Sequence, residues 1–62
     1  MKLLSKRQVT EMVLYSPQHI ARLEAAGLFP KRVKLGVNRV GWVYEEVLEW
    51  LQQRIEARDQ QL

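Results

Sequence analysis

The sequence has no cysteine, one histidine, one aspartate and three glycines among its 62 residues. The lack of cysteine excludes a disulfide framework and a thiolate metal site, and it fits a reducing cytoplasm. With one histidine, one aspartate and no glycine-rich phosphate loop, there is no catalytic constellation, so we expect no enzyme activity, cofactor, metal or small-molecule ligand. Because there is no apolar run of 18 residues and no signal-peptide pattern, we expect a cytoplasmic protein that does not enter membranes.

Charge is divided unevenly along the chain. Residues 1–44 hold eight basic and two acidic residues, whereas residues 45–62 hold two basic and five acidic residues, within a net charge of +3. A basic body of this kind suits the phosphate backbone of a nucleic acid. RNA is a poor candidate because no aromatic-rich sheet for base stacking is apparent.

The first predicted helix begins directly after Ser5. Ser5 and Gln8 have the spacing of a capping box, in which each side chain binds the backbone N–H of the other residue. Leu4 and Val9 stand at the positions of a hydrophobic staple. Lys6 and Arg7 occupy the first turn, where they and the free N–H groups can bind a DNA phosphate, although two solvated charges are an equally good interpretation.

The second predicted helix repeats this pattern after a short corner. Ser16 is its cap and Pro17 its first residue, where the missing N–H costs nothing. Gly27 supplies the left-handed residue that ends the helix, and Pro30 prevents continuation. Residues 13–15 are left between the helices, which is typical of a helix-turn-helix corner.

The two faces of the second helix differ in character. Its inner face is apolar, with Ile20 and Leu23, and it matches an apolar face on the first helix. Its outer face carries Gln18, Arg22 and Ala25, which allow close approach to the edge of a base pair. A purely structural helix usually carries Glu and Lys there, so the outer face favours DNA recognition.

After Pro30 the pattern changes to a β-hairpin, with strands over residues 31–35 and 40–43 and a turn between them. An isolated hairpin is marginal in water, so it must pack on the helices. The expected contacts are Val33, Leu35, Val40 and Trp42, although strict alternation does not place all four on one face. Gly41 indicates close packing or a bulge. The sequence leaves open whether Leu3 pairs with this sheet.

A third helix is predicted from Glu45 onwards. Its packed stripe is expected to comprise Val47, Leu48, Leu51 and Ile55, with Trp50 beside it. Beyond Ile55 only Leu62 is a large apolar residue, so residues 56–62 are expected to form a frayed tail. The prediction is a single domain over residues 1–62.

The chain resembles the AlpA-type prophage regulators and the related small phage excisionases, which are relatives of the MerR DNA-binding domain. The resemblance is carried by SPQHIARLEAAGLFPKRVKLG, NRVGW and EEVLEWL, in the same order and spacing. It implies a mainly α fold with a small β-hairpin, a winged helix-turn-helix of three helices plus a wing. It also implies binding to duplex DNA at promoters or phage attachment sites, as a transcription regulator, an excision factor or both.

The resemblance also assigns residues to each DNA-binding element. The recognition-helix residues are Ser16, Gln18, His19 and Arg22. The wing residues are Lys34, Asn38 and Arg39, to which we add the neighbouring Lys31. Two positions depart from the family pattern. Leu14 replaces a common turn glycine, so the corner is expected to be wider or strained. His19-Ile20-Ala21-Arg22 replaces a common Thr-x-Tyr-Arg, which changes the base-reading side chains.

A monomer of this size covers only a few base pairs, so useful specificity requires several copies on adjacent sites or a partner such as an integrase or RNA polymerase. The alternative function is a protein-binding modulator of a regulator or integrase with the same fold. That alternative depends on the acidic final helix and on Phe29 and Leu62 as exposed apolar residues.

Overall fold

The computed structural model describes residues 1–59, which form three helices and three strands in the order β1-α1-α2-β2-β3-α3. The bounds are β1 Leu3–Leu4, α1 Lys6–Val13, α2 Pro17–Ala25, β2 Val33–Gly36, β3 Arg39–Val43 and α3 Tyr44–Asp59. This is the predicted winged helix-turn-helix: α1 and α2 form the helix pair, and β2 with β3 forms the wing. No helix in residues 1–59 is long and apolar enough to cross a membrane.

Both helix starts are built as the sequence predicts. Ser5 Oγ accepts from the Gln8 N–H at 3.1 Å, and Gln8 Oε1 accepts from the Ser5 N–H at 2.9 Å, which completes the capping box. Ser16 Oγ accepts from the His19 N–H at 3.1 Å, with Pro17 as the first helical residue. Short-range sequence signals therefore set the point at which each helix begins.

The end of α2 is a complete Schellman motif. The Leu28 N–H donates to Leu23 O at 2.8 Å and the Gly27 N–H donates to Glu24 O at 3.0 Å. Gly27 has a φ of 74°, the left-handed conformation that this motif requires. The predicted role of Gly27 is confirmed.

The sheet has the strand order β1-β3-β2, with both pairs antiparallel. Leu3 and Leu4 pair with Val43 and Trp42, so the residues before α1 do join the sheet. At Gly41 an added Cβ would lie 3.2 Å from the Leu4 carbonyl oxygen, a tight contact, so the close packing of β1 on β3 favours glycine there. The irregularity of the ladder lies in β2, between Lys34 and Gly36.

A small apolar core holds these elements together. Its buried residues come from every element except β2: Leu4, Val9, Val13, Ile20, Phe29, Trp42 and Val47. The predicted apolar faces of α1 and α2 are confirmed, because Val9, Val13 and Ile20 are buried and Leu23 packs beside them.

Three packing predictions are wrong, two of them in part. Of the four hairpin residues expected to pack on the helices, Val40 and Trp42 do so. Val33 and Leu35 are exposed, because they lie on the Gly41 face of the hairpin, opposite to Trp42. Phe29 is buried rather than exposed, because its ring packs edge-on against the Trp50 ring at 4.9 Å between centroids. On α3 the predicted Val47, Leu51 and Trp50 do pack, but Leu48 and Ile55 are exposed, so the packed face is rotated from the predicted stripe towards Trp50.

The end of α3 lies only partly within the described residues. Residues 56–59 continue the helix and are exposed. The expected fraying of this segment stays a prediction, and Leu62 lies outside the described residues.

Leu14 adopts a left-handed conformation at the corner between α1 and α2, with φ 63° and ψ 27°. This conformation costs an ordinary L-residue about 1–2 kcal/mol and costs glycine almost nothing. The Leu14 side chain offsets little of this cost by burial, because the residue is 85% exposed. The strain expected from the missing turn glycine is therefore located at this residue.

We predict that Leu14→Gly raises the melting temperature by about 2–4 °C, because the relief of strain exceeds the extra chain entropy of glycine in the unfolded state. Thermal unfolding followed by circular dichroism measures the shift. Val37→Gly is the matched control, because Val37 is also an exposed apolar residue, at 91%, but has no positive φ. Equal destabilisation by both substitutions would contradict strain at Leu14.

Candidate nucleic-acid interface

The outer face of α2 is open to solvent, as its helical periodicity predicts. Gln18, Ala21, Arg22 and Ala25 are all exposed, whereas Ile20 on the opposite side is 1% exposed. Two of these four residues are alanines, whose short side chains do not prevent close approach to DNA, so the two long polar side chains can reach into a groove. Ser16 is exposed beside them, but its hydroxyl already caps the helix.

His19 lies at the border between this face and the core. Its ring packs edge-on against Tyr15 at 4.4 Å between centroids, and Tyr15 in turn lies 6.0 Å from Trp50. The guanidinium Nη2 of Arg22 lies 3.4 Å from His19 Nδ1, a distance at which it can donate to the unprotonated ring nitrogen. His19 is therefore half-buried and is placed to orient Arg22, a role that the sequence did not indicate.

Lys6, the first residue of α1, lies close to the outer face of α2. A groove between these helices, here called the α1–α2 groove, is lined by Lys6, Gln18, Ala21 and Arg32, with Ile20 and Trp42 at its base. The exposed start of α1 and the exposed face of α2 therefore share one concave surface.

Lys6 also lines a second groove, here called the α1–wing groove, which contains Asn38 and Arg39 from the tip of the wing. The first turn of α1 thus connects the predicted recognition helix to the predicted wing tip. Asn38 has a φ of 58° in the turn, a conformation that asparagine tolerates better than most residues. Its position is therefore also explained by the turn itself.

The remaining predicted residues lie in different surroundings. Lys34 pairs with Val40 across the ladder, which places it on the same face as Trp42 and towards the helices. Lys31 precedes β2 and lines a third groove with Glu46 and Glu49 of α3, so the structure does not bring it together with the wing tip.

Arg7 is exposed and forms an ion pair with Glu11, with Nε 3.2 Å from Oε1. The pair is worth little, because both side chains are more than two-thirds solvated, at 89% and 67%. Arg7 can therefore leave Glu11 for a phosphate at small cost.

Arg32 is the functional candidate that sequence reasoning missed. It lines the α1–α2 groove, and its guanidinium forms a bidentate pair with Glu24, with Nε 3.0 Å from Oε2 and Nη2 3.1 Å from Oε1. The two acidic residues in the first 44, Glu11 and Glu24, thus each neutralise one arginine. Within residues 1–59 the other six basic residues of this region form no ion pair. Apart from Lys31, which shares a groove with Glu46 and Glu49, their positive charge is available to an anionic partner.

Known proteins provide an independent comparison. The sequence profile of the family described as Prophage CP4-57 regulatory protein (AlpA) matches residues 2–55. Over 26 residues the chain is 58% identical to the DNA-binding transcriptional activator AlpA of Escherichia coli (strain K12). That match covers 42% of this chain and 37% of the relative, so it spans well under half of either protein.

The profile match covers β1, α1, α2, the wing and most of α3. It therefore includes all the elements that carry the predicted DNA-binding residues. The chain belongs to the AlpA family of prophage regulatory proteins.

Proposed function

We propose that this protein is a sequence-specific duplex DNA-binding protein that regulates transcription in a prophage or other mobile element, or directs its excision. In this proposal α2 enters the major groove, and the wing follows the backbone or reaches the minor groove. The family is one of regulatory proteins and not of enzymes.

The observation that carries the proposal is the position of Lys6 between two grooves. The α1–α2 groove joins it to Gln18, and the α1–wing groove joins it to Asn38 and Arg39. A continuous surface that presents a helix face, a basic helix start and a hairpin tip fits one side of a DNA duplex, because helix and hairpin tip can then enter neighbouring grooves.

In this proposal the residues divide into two kinds of contact. Gln18 and Arg22 read base edges, adenine suiting the amide and guanine suiting the guanidinium. Backbone phosphates are bound by the residues around them: Lys6, Arg7, Ser16, His19, Lys34 and Arg39. Asn38 stands at the hairpin tip, and Lys31 is the weakest candidate because it faces the acidic side of α3.

The test is to select binding sites from fragmented genomic duplex DNA with the purified protein, and then to titrate the best fragment and a scrambled control across a salt series. We expect the selected fragment to bind about 10³-fold more tightly at physiological salt. Equal binding of both fragments would contradict sequence-specific recognition. Failure to bind either, together with capture of a regulator or integrase, would favour the protein-binding modulator.

Several copies on adjacent sites form part of the proposal, because a single module of this size buries only about 600–1,000 Å² on DNA. The genes beside the selected sites distinguish promoter control from excision. A partner such as an integrase or RNA polymerase is part of the proposal for the same reason, because it would add contacts that the small module lacks.

Arg22→Ala is expected to weaken binding to the selected fragment by about 1–3 kcal/mol and to change binding to scrambled DNA much less, because it removes a bidentate base contact. Arg58→Ala is the control: it removes the same charge from an exposed arginine on α3. The titration above measures both variants. Equal weakening on both DNAs would mean that Arg22 contacts only the backbone.

Arg39→Ala is expected to act on the salt dependence. The slope of log K against log salt is negative, and loss of one phosphate contact makes it shallower by about 1. The weakening should be similar on specific and scrambled DNA. The slope comes from titrations at four or more salt concentrations, again beside Arg58→Ala. An unchanged slope would exclude a phosphate contact at Arg39.

A further inference from the structure

The Glu24 carboxylate is a meeting point of α2 and the wing. It accepts three hydrogen bonds from Arg32, at 3.0, 3.1 and 3.3 Å, and one from the Trp42 indole Nε1 at 3.1 Å. Glu24 lies on α2, Arg32 directly precedes β2, and Trp42 lies on β3. One carboxylate therefore ties both strands of the wing to the predicted recognition helix.

Few other side-chain hydrogen bonds within residues 1–59 join elements that are distant in the sequence. Within residues 1–59, the side-chain hydrogen bonds between residues more than five apart are those at Glu24 and one from Trp50 to the Leu28 carbonyl. The rest are local to their own helices or caps. Glu24 is thus the place where side-chain hydrogen bonds fix α2 relative to the wing.

The wing needs such a tie because β2 has no buried residue. It is held by its ladder to β3 and, at its start, by Arg32. The Arg32 guanidinium also stacks over the Trp42 ring at 5.0 Å, and Trp42 is 1% exposed. The planar fork of arginine fixes both direction and distance to a carboxylate, which the single ammonium of lysine does not.

We infer that the Glu24–Arg32 pair is a positioning device that holds the wing at a fixed place relative to α2, so that the two elements contact DNA at the same time. The part that concerns DNA rests on the proposed function. Neither residue reads a base in this scheme: Glu24 is anionic, and two of the guanidinium nitrogens of Arg32 are bonded to it.

Arg32→Lys is the test variant, because it keeps the charge and removes the bidentate fork. Arg58→Lys is the matched control, the same change at an exposed arginine of α3. Native-state hydrogen exchange is measured on both proteins without DNA. We expect the amides of β2 and β3 to exchange about tenfold faster in Arg32→Lys, while the amides of α1 match those of the control. Unchanged wing amides, or equal acceleration in α1, would overturn the inference.

The DNA readout is a double-mutant cycle with Arg39→Ala at the wing tip. On the selected fragment Arg32→Lys should bind about tenfold more weakly than wild type, and Arg39→Ala should cost less in that background than in wild type. Strictly additive effects would overturn the positioning role. If wild type does not prefer the selected fragment, the proposed function fails, and the exchange comparison still decides whether the pair fixes the wing.

Discussion

The Glu24 carboxylate is the constraint on which the arrangement of the site depends. Its side chain is only 12% exposed, and a carboxylate withdrawn from water is costly unless its oxygens accept hydrogen bonds. The partners come from Arg32 and Trp42, which lie side by side across the hairpin, because the next residues along the ladder, Val33 and Gly41, pair with each other. Wrong placement of the hairpin would leave this carboxylate unsatisfied, so the cost of burying it selects one placement of the wing against α2.

Sequence reasoning located the elements well because their boundaries are set by local chemistry. Ser5 with Gln8, Ser16 with Pro17, and the left-handed Gly27 act within a few residues, and all three are found as expected. It failed where an apolar pattern had more than one surface to pack against. Alternation divides the apolar hairpin residues between two faces but could not reveal which face meets the helices, and helical spacing could not reveal which side of α3 meets Phe29.

For the site, too, local features could be predicted from the sequence and features that depend on tertiary packing could not. Exposure of Gln18 and Arg22 follows from the burial of Ile20, because helical geometry fixes opposite faces once one is known. The joining of Lys6 to both Gln18 and Arg39 depends on how three elements pack, and so could not be predicted from spacing. The Glu24–Trp42 bond spans 18 residues without any periodic relation, and in the sequence Glu24 looks like an ordinary surface charge.

Trp50 supports α2 at both of its ends. Its indole donates to the Leu28 carbonyl at 2.8 Å, directly after the turn that ends α2, and its ring meets Tyr15 just before the cap that begins α2. Both ends of the helix are therefore supported by one side chain of α3, while Glu24 fixes the same helix to the wing. Support from both α3 and the wing is what a base-reading helix requires, because an error of a fraction of an ångström in its position weakens every hydrogen bond to a base edge. In the proposed function, the acidic α3 therefore contributes to recognition through its packed face, by holding α2 in position.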